Sequence, residues 1–167
     1  ETTELLRLIG DIERIADHSV NILESAEELR EKELQFSPKA KDELTVLVSA
    51  THEILDLTMS AIASGDLTVA AKVEPLEEVI DDLKEDLRPR HSVRLSQGNC
   101  SIETGFVWSD LLTNLERVSD HCSNIAGCII DTANHNLNLH ESTRAAHEDG
   151  TFFREQFNIY KEQYKLA

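Results

Sequence analysis

Apolar or small residues recur at Leu5, Leu8, Ile12, Ile15, Ser19, Ile22, Ala26 and Leu29, in an alternating three-four spacing. That rhythm is one face of a long amphipathic helix, predicted over residues 1 to about 33. Ser37-Pro38 then breaks the pattern, with Ser37 as an N-cap and Pro38 at a first helical position that needs no N–H. A second helix is expected to reach Ser64, turning Leu44, Leu47, Thr51, Ile54, Thr58 and Ile62 inward. Gly65 suits its C-terminal end and Asp66 the cap of the next helix. That third helix, about 67–96, carries Leu76, Ile80, Leu83 and Leu87 on its core face, and Pro75 and Pro89 should kink or interrupt it. A fourth, about 102–134, runs through Leu111, Leu115, Val118, Cys122, Ile125 and Ile129. The tail, 138–165, is amphipathic, with a break expected at Gly150. No strand pattern competes. The fold class is therefore all-α: an antiparallel up-down bundle of long amphipathic helices with a helical C-terminal tail.

Composition narrows the function classes. The 167 residues suit one domain with a substantial core, and only six Gly and three Pro favour helix. A net charge of −16 repels nucleic acid and anionic headgroups and attracts cations, metals and basic partners. Free phosphate should not bind such a surface without a bridging metal. Three cysteines, Cys100, Cys122 and Cys128, form no CxxC pair, which fits a reducing compartment. No uncharged run approaches the roughly 18 residues that cross a membrane. The first residue is Glu, which suggests a piece of something longer, and a membrane region upstream would be compatible with this.

The most informative feature is a repeat. "IERIADHSVNI" at 12–22 recurs as "LERVSDHCSNI" at 115–125, at a constant offset of 103. Glu, Arg, Asp, His, Asn and Ile coincide, which points to internal duplication. Glu13 and Asp17 each follow a core position by one, as do Glu116 and Asp120; "LEEVID" places Glu77 and Asp81 likewise. Three helices thus offer a Glu-x-x-x-Asp pair on the shoulder between core and solvent. Two carboxylates about 6 Å apart repel by roughly 3 kcal/mol at an effective dielectric of 20. A bundle that gathers them either leaves them wet or places cations between them, and hard oxygens on facing helices are how bundles hold metals.

The plain alternative is a solvated face, in which Arg14 with Asp17 and Arg117 with Asp120 form ordinary i, i+3 pairs of small net worth. His18 and His121 read as hydrogen-bonded shoulder residues rather than ligands. His135, His140 and His147 lack zinc spacing. Phe106, Trp108 and the tail aromatics Phe152, Phe153, Phe157 and Tyr160 read as core and docking residues. No nucleophile with a base, phosphate loop or nucleotide fingerprint is present.

"LERVSDHCSNIA" and "IERIADHSVNI" resemble the signature of the PhoU family of phosphate-uptake regulators, built from duplicated three-helix repeats with E(D)xxxD motifs. "PLEEVIDDLKEDLRPRHSVRL" more narrowly resembles the C-terminal PhoU-like domain of sodium/phosphate cotransporters. The resemblance implies a single PhoU-like domain truncated at its N-terminus: 1–35 the last helix of a first repeat, 36–135 the second three-helix repeat, 136–167 the tail. It implies metal ligation by Glu13, Asp17, Glu77, Asp81, Glu116 and Asp120, with divalent or trivalent iron, zinc or manganese as candidates. The site at Glu13 and Asp17 would lack its partner motif and be half-built. It further implies a non-enzymatic regulatory domain at the inner face of the cell membrane, modulating phosphate uptake. Its partner would be a membrane-embedded transporter region of the same full-length chain; a homo-oligomer also fits, and nucleic acid does not. A carboxylate-bridged metal enzyme and a metal-free interaction bundle are the alternatives.

Overall fold

The computed structural model describes residues 2–136 and 142–167, and every regular element in them is helical. The elements are α1 (Thr2–Glu31), α2 (Pro38–Ser64), α3 (Leu67–Ala70), α4 (Val73–Ser96), α5 (Ile102–Asn136) and α6 (Ser142–Gln163). The start of the expected tail and His140 lie outside the described residues, as does the side chain of His147.

Local chemistry sets the boundaries. Ser37 Oγ accepts the Ala40 N–H at 3.2 Å, and Pro38 opens α2. Gly65 ends α2 at φ 66°, a left-handed conformation that glycine adopts without strain, and Asp66 Oδ1 accepts the Thr68 N–H at 2.8 Å. The expected third helix is two: a single turn, α3, then α4. Pro75 lies in the first turn of α4, where a missing N–H loses no hydrogen bond. Pro89 leaves α4 unbroken to Ser96; it is exposed, as is Glu85 one turn earlier, so the freed carbonyl of Glu85 can meet water. Gly150 likewise leaves α6 unbroken.

α5 is the central helix. It packs against α1 on one side and against α2, α3 and α4 on the other, while α6 packs on α4. Leu47, Ile54, Leu76, Ile80, Leu87, Trp108 and Leu112 make the dry centre of the α2–α4–α5 core. By length and composition α2 could cross a membrane, but its apolar face is spent on this core. Phe106 departs from its predicted core role and is 68% exposed, because α5 turns Val107 and Trp108 inward at this level instead.

The predicted inner face of α1 is half right. Leu8, Ile15, Ile22 and Leu29 face α5 and are half-buried, whereas Leu5, Ile12, Ser19 and Ala26 are exposed. The positions that alternate with the apolar ones towards α5 are Asp11, His18 and Ser25, of which Ser25 is buried. α1 carries two stripes at heptad spacing, and α5 covers the one in which Asp11 and His18 find hydrogen-bond partners.

Candidate ion site and the paired repeat helices

α1 and α5 run antiparallel and meet through the repeated sequence. His18 Nδ1 lies 2.8 Å from Asn114 Oδ1, and His121 Nδ1 lies 2.8 Å from Asp11 Oδ1. Asn21 Nδ2 donates to Asn114 Oδ1 at 3.1 Å, and Asn124 Nδ2 to Asp11 Oδ1 at 3.5 Å. Each contact maps onto the other under the 103-residue offset, since Asp11 corresponds to Asn114, His18 to His121 and Asn21 to Asn124. The pair therefore has pseudo-two-fold symmetry. Acceptor oxygens on both sides put the proton of each imidazole on Nδ1. The shoulder reading of the two histidines agrees with this geometry.

The same offset relates the remaining stripes. Leu5, Ile9, Ile12, Ala16, Ser19 and Leu23 are exposed on α1; their counterparts Trp108, Leu112, Leu115, Ser119, Cys122 and Ala126 are all buried under α2, α3 and α4. Glu13 and Asp17 sit beside that uncovered stripe and are exposed. No described element faces them across a groove.

On the covered side, α4 brings Glu77 and Asp81 to Glu116 and Asp120 of α5. Glu116 is only 8% exposed, because it follows Leu115 into the α4–α5 seam. Its Oε2 is 3.0 Å from Lys84 Nζ and 3.9 Å from Arg117 Nε. No donor meets that oxygen with hydrogen-bonding geometry, so the Lys84 contact is an ion pair held by charge rather than by a directed bond. Asp81 Oδ1 is 3.9 Å from the same Lys84 Nζ, and Arg117 Nη1 donates to Asp120 Oδ2 at 3.1 Å. Glu77, half-buried, is pushed up to about 7: burial contributes most, then the charges of Asp120 and Asp81, then a hydrogen bond with Asp120, then Glu78. A carboxyl that retains its proton so far above the usual range marks a spot with too much negative charge for its solvation.

The structure thus gathers four of the six predicted residues and leaves Glu13 and Asp17 apart. Among the described residues no three His, Cys, Asp or Glu side chains form a closed metal-holding set. The donor types nonetheless suit a hard cation: carboxylate oxygens, one of them buried without a donor, and a crowded Glu77–Asp120 pair. Closing them around an ion requires Lys84 to move.

Several contributors were missed in the sequence. Lys84 follows Asp81 by three residues on α4, but spacing alone does not place it in the seam against Glu116. Asp11 and Asn114 lie just upstream of the matched segments and differ in identity. At the end of the bundle, buried Glu43 accepts from Arg90 at 3.1 Å and Arg94 at 2.7 Å, and Arg94 lies over Trp108, 5.1 Å from the ring centroid. His91 stacks on Trp108 and approaches Gly105 so closely that an added Cβ would lie 2.9 Å from its Nε2. Only the fold brings these distant positions together.

Comparison with known proteins bears on the same region. The family model described as PhoU domain matches residues 44–129, about half of the chain, and this span holds Glu77, Asp81, Glu116 and Asp120. A Thermotoga maritima protein named phosphate-specific transport system accessory protein PhoU homolog 1 is 29% identical over 126 residues, covering 75% of this chain and 53% of the relative. A Deinococcus radiodurans protein named phosphate-specific transport system accessory protein PhoU homolog is 25% identical over 124 residues, covering 73% of this chain and 56% of its own length. The chain spans about half the length of the curated relatives it matches. No solved structure matches it.

Proposed function

Since the chain belongs to the PhoU domain family, we propose that it is a metal-binding regulatory domain of a phosphate transport system. In its finer form, it is the cytoplasmic domain of a sodium/phosphate cotransporter, docking on the membrane-embedded region of the same full-length chain and modulating uptake. Two relatives carry phosphate-specific transport names, which supports the phosphate context. The observation that carries the metal part is the α4–α5 carboxylate cluster, in which buried Glu116 has an oxygen without a hydrogen-bond donor and burial and the charge of Asp120 push the Glu77 carboxyl up to about 7. Glu77, Asp81, Glu116 and Asp120 would hold the ion, which supplies a positive charge able to bridge a bound anion.

The repeat supports a domain organisation in which α1 closes a first three-helix repeat and 36–135 form the second. A helix pair like α2 and α4 would cover the exposed stripe of α1 and bring a partner motif to Glu13 and Asp17. The test is phosphate uptake by the full-length transporter carrying Glu77→Gln and Asp120→Asn. The proposal predicts uptake that no longer responds to metal depletion; an unchanged response contradicts it.

A further inference from the structure

Lys84 stands out among the cations of the molecule. It reaches into the acidic seam rather than into solvent, and its side chain is 12% exposed. Its ammonium makes two ion pairs among the described residues, with Asp81 Oδ1 of α4 at 3.9 Å and Glu116 Oε2 of α5 at 3.0 Å, while Arg117 stands at the rim against Glu116 and Asp120. Arg117 is more than half exposed and already committed to Asp120, so Lys84 is the internal counter-charge. Its contact with Glu116 lacks hydrogen-bonding geometry, although Glu116 is more than nine-tenths buried. A lysine ammonium is a compact point charge on a flexible stem, suited to leave such a contact without breaking a directed bond.

We propose that Lys84 is a tethered competitor for the α4–α5 ion site: its ammonium lies between Asp81 and Glu116, where a bound cation would lie, and must swing out for an ion to enter. This rests on the reading of that cluster as an ion site. The lysine keeps the ion-free bundle from collapsing its charges outward, and it sets a threshold below which the site ignores cations. Its movement would also change the α4 surface on binding, converting occupancy into a shape that a partner can read.

The experiment uses the chelator-treated chain, Mn²⁺ as the probe, and calorimetry on the parent, Lys84→Met and Lys84→Arg. Methionine keeps the apolar stem and removes the charge, whereas arginine keeps the charge. Lys84→Met should bind Mn²⁺ at least tenfold more tightly than the parent, equivalent to about 1.4 kcal/mol, and Lys84→Arg no more tightly. An independent readout needs no variant: mass spectrometry of amine acetylation should show Lys84 protected without Mn²⁺ and labelled with it. Parent and Lys84→Met binding Mn²⁺ with equal affinity, or labelling indifferent to bound Mn²⁺, would overturn the competitor role while leaving the ion site standing. Silence of parent and Lys84→Met alike towards Mn²⁺ would overturn the ion-site reading and this inference with it.

Discussion

His18 and His121 stack with ring centroids 5.7 Å apart, and each directs its Nδ1 to the helix of the opposite repeat. They stand at the pseudo-two-fold centre of the α1–α5 pair. The repeated sequence is thus an interface motif through its His and Asn, and a carboxylate motif through its Glu and Asp. One stretch serves two faces of the same helix.

Because Asn114 does for His18 what Asp11 does for His121, Asp11→Asn should leave stability within about 0.5 kcal/mol of the parent. Asp11→Ala and Asn114→Ala each remove an acceptor shared by two donors and should cost about 0.5–1.5 kcal/mol per hydrogen bond lost. Urea unfolding of the three variants checks both statements; equal losses for Asn and Ala at position 11 would break the symmetry argument.

The two stripes related by the offset should respond oppositely to truncation. Leu115→Ala removes a buried side chain and should cost about 2–5 kcal/mol. Its counterpart Ile12, 42% exposed, should tolerate Ala within about 0.5 kcal/mol in this chain. Covering α1 with a further helix pair should raise the cost at Ile12 towards that at Leu115. Denaturant midpoints of the two variants, with and without such a pair, give the comparison.

Glu77 should make acidification stabilising over part of the pH range. Burial and the neighbouring charges of Asp120 and Asp81 push its carboxyl from the ordinary 4.5 up to about 7 in the folded state, so the folded chain holds this proton more tightly than the unfolded one. The benefit is full below about 4.5, fades as pH rises through 7, and is absent above it. Glu77→Gln should flatten this component of the stability profile between pH 5 and 8. Carboxyl carbon NMR reads the titration directly, and a midpoint near that of an ordinary glutamate would refute the crowding of Glu77 and Asp120.

Glu43 is the keystone of the opposite end. It is 4% exposed and receives both Arg90 and Arg94, so Glu43→Ala strands buried guanidinium charge and should cost about 3–5 kcal/mol. Thermal unfolding measures it. A loss below 1 kcal/mol would mean that the arginines find water instead.

Periodicity made the bundle legible because most helices bury a single stripe: Leu76, Ile80, Leu83 and Leu87 were readable from spacing alone. α1 was only half legible because it carries two stripes, and hydrophobicity favours Leu5 and Ile12 over Asp11 and His18. Only the partner helix decides between them. Proline rules held at Pro75, where the expected third helix is interrupted just ahead of it, and misled at Pro89, since the cost inside a helix depends on access of water to the freed carbonyl. The α4–α5 carboxylates were legible because shoulder positions recur in three helices. Lys84 was not, because a lysine on an acidic helix ordinarily points to solvent, and only the depth of the seam holds it in.

The ion site is tested most directly by melting the chelator-treated chain with and without Mn²⁺, Fe²⁺ or Zn²⁺. An ion that binds only the folded state stabilises it by about 2.7 kcal/mol at a hundredfold excess over Kd. The parent should therefore melt several degrees higher with at least one of these ions, and the double variant Glu116→Gln, Asp120→Asn should lose most of that shift while matching or exceeding the ion-free parent. A parent indifferent to all three ions, or a double variant that keeps the full shift, would contradict an ion site at Glu77, Asp81, Glu116 and Asp120.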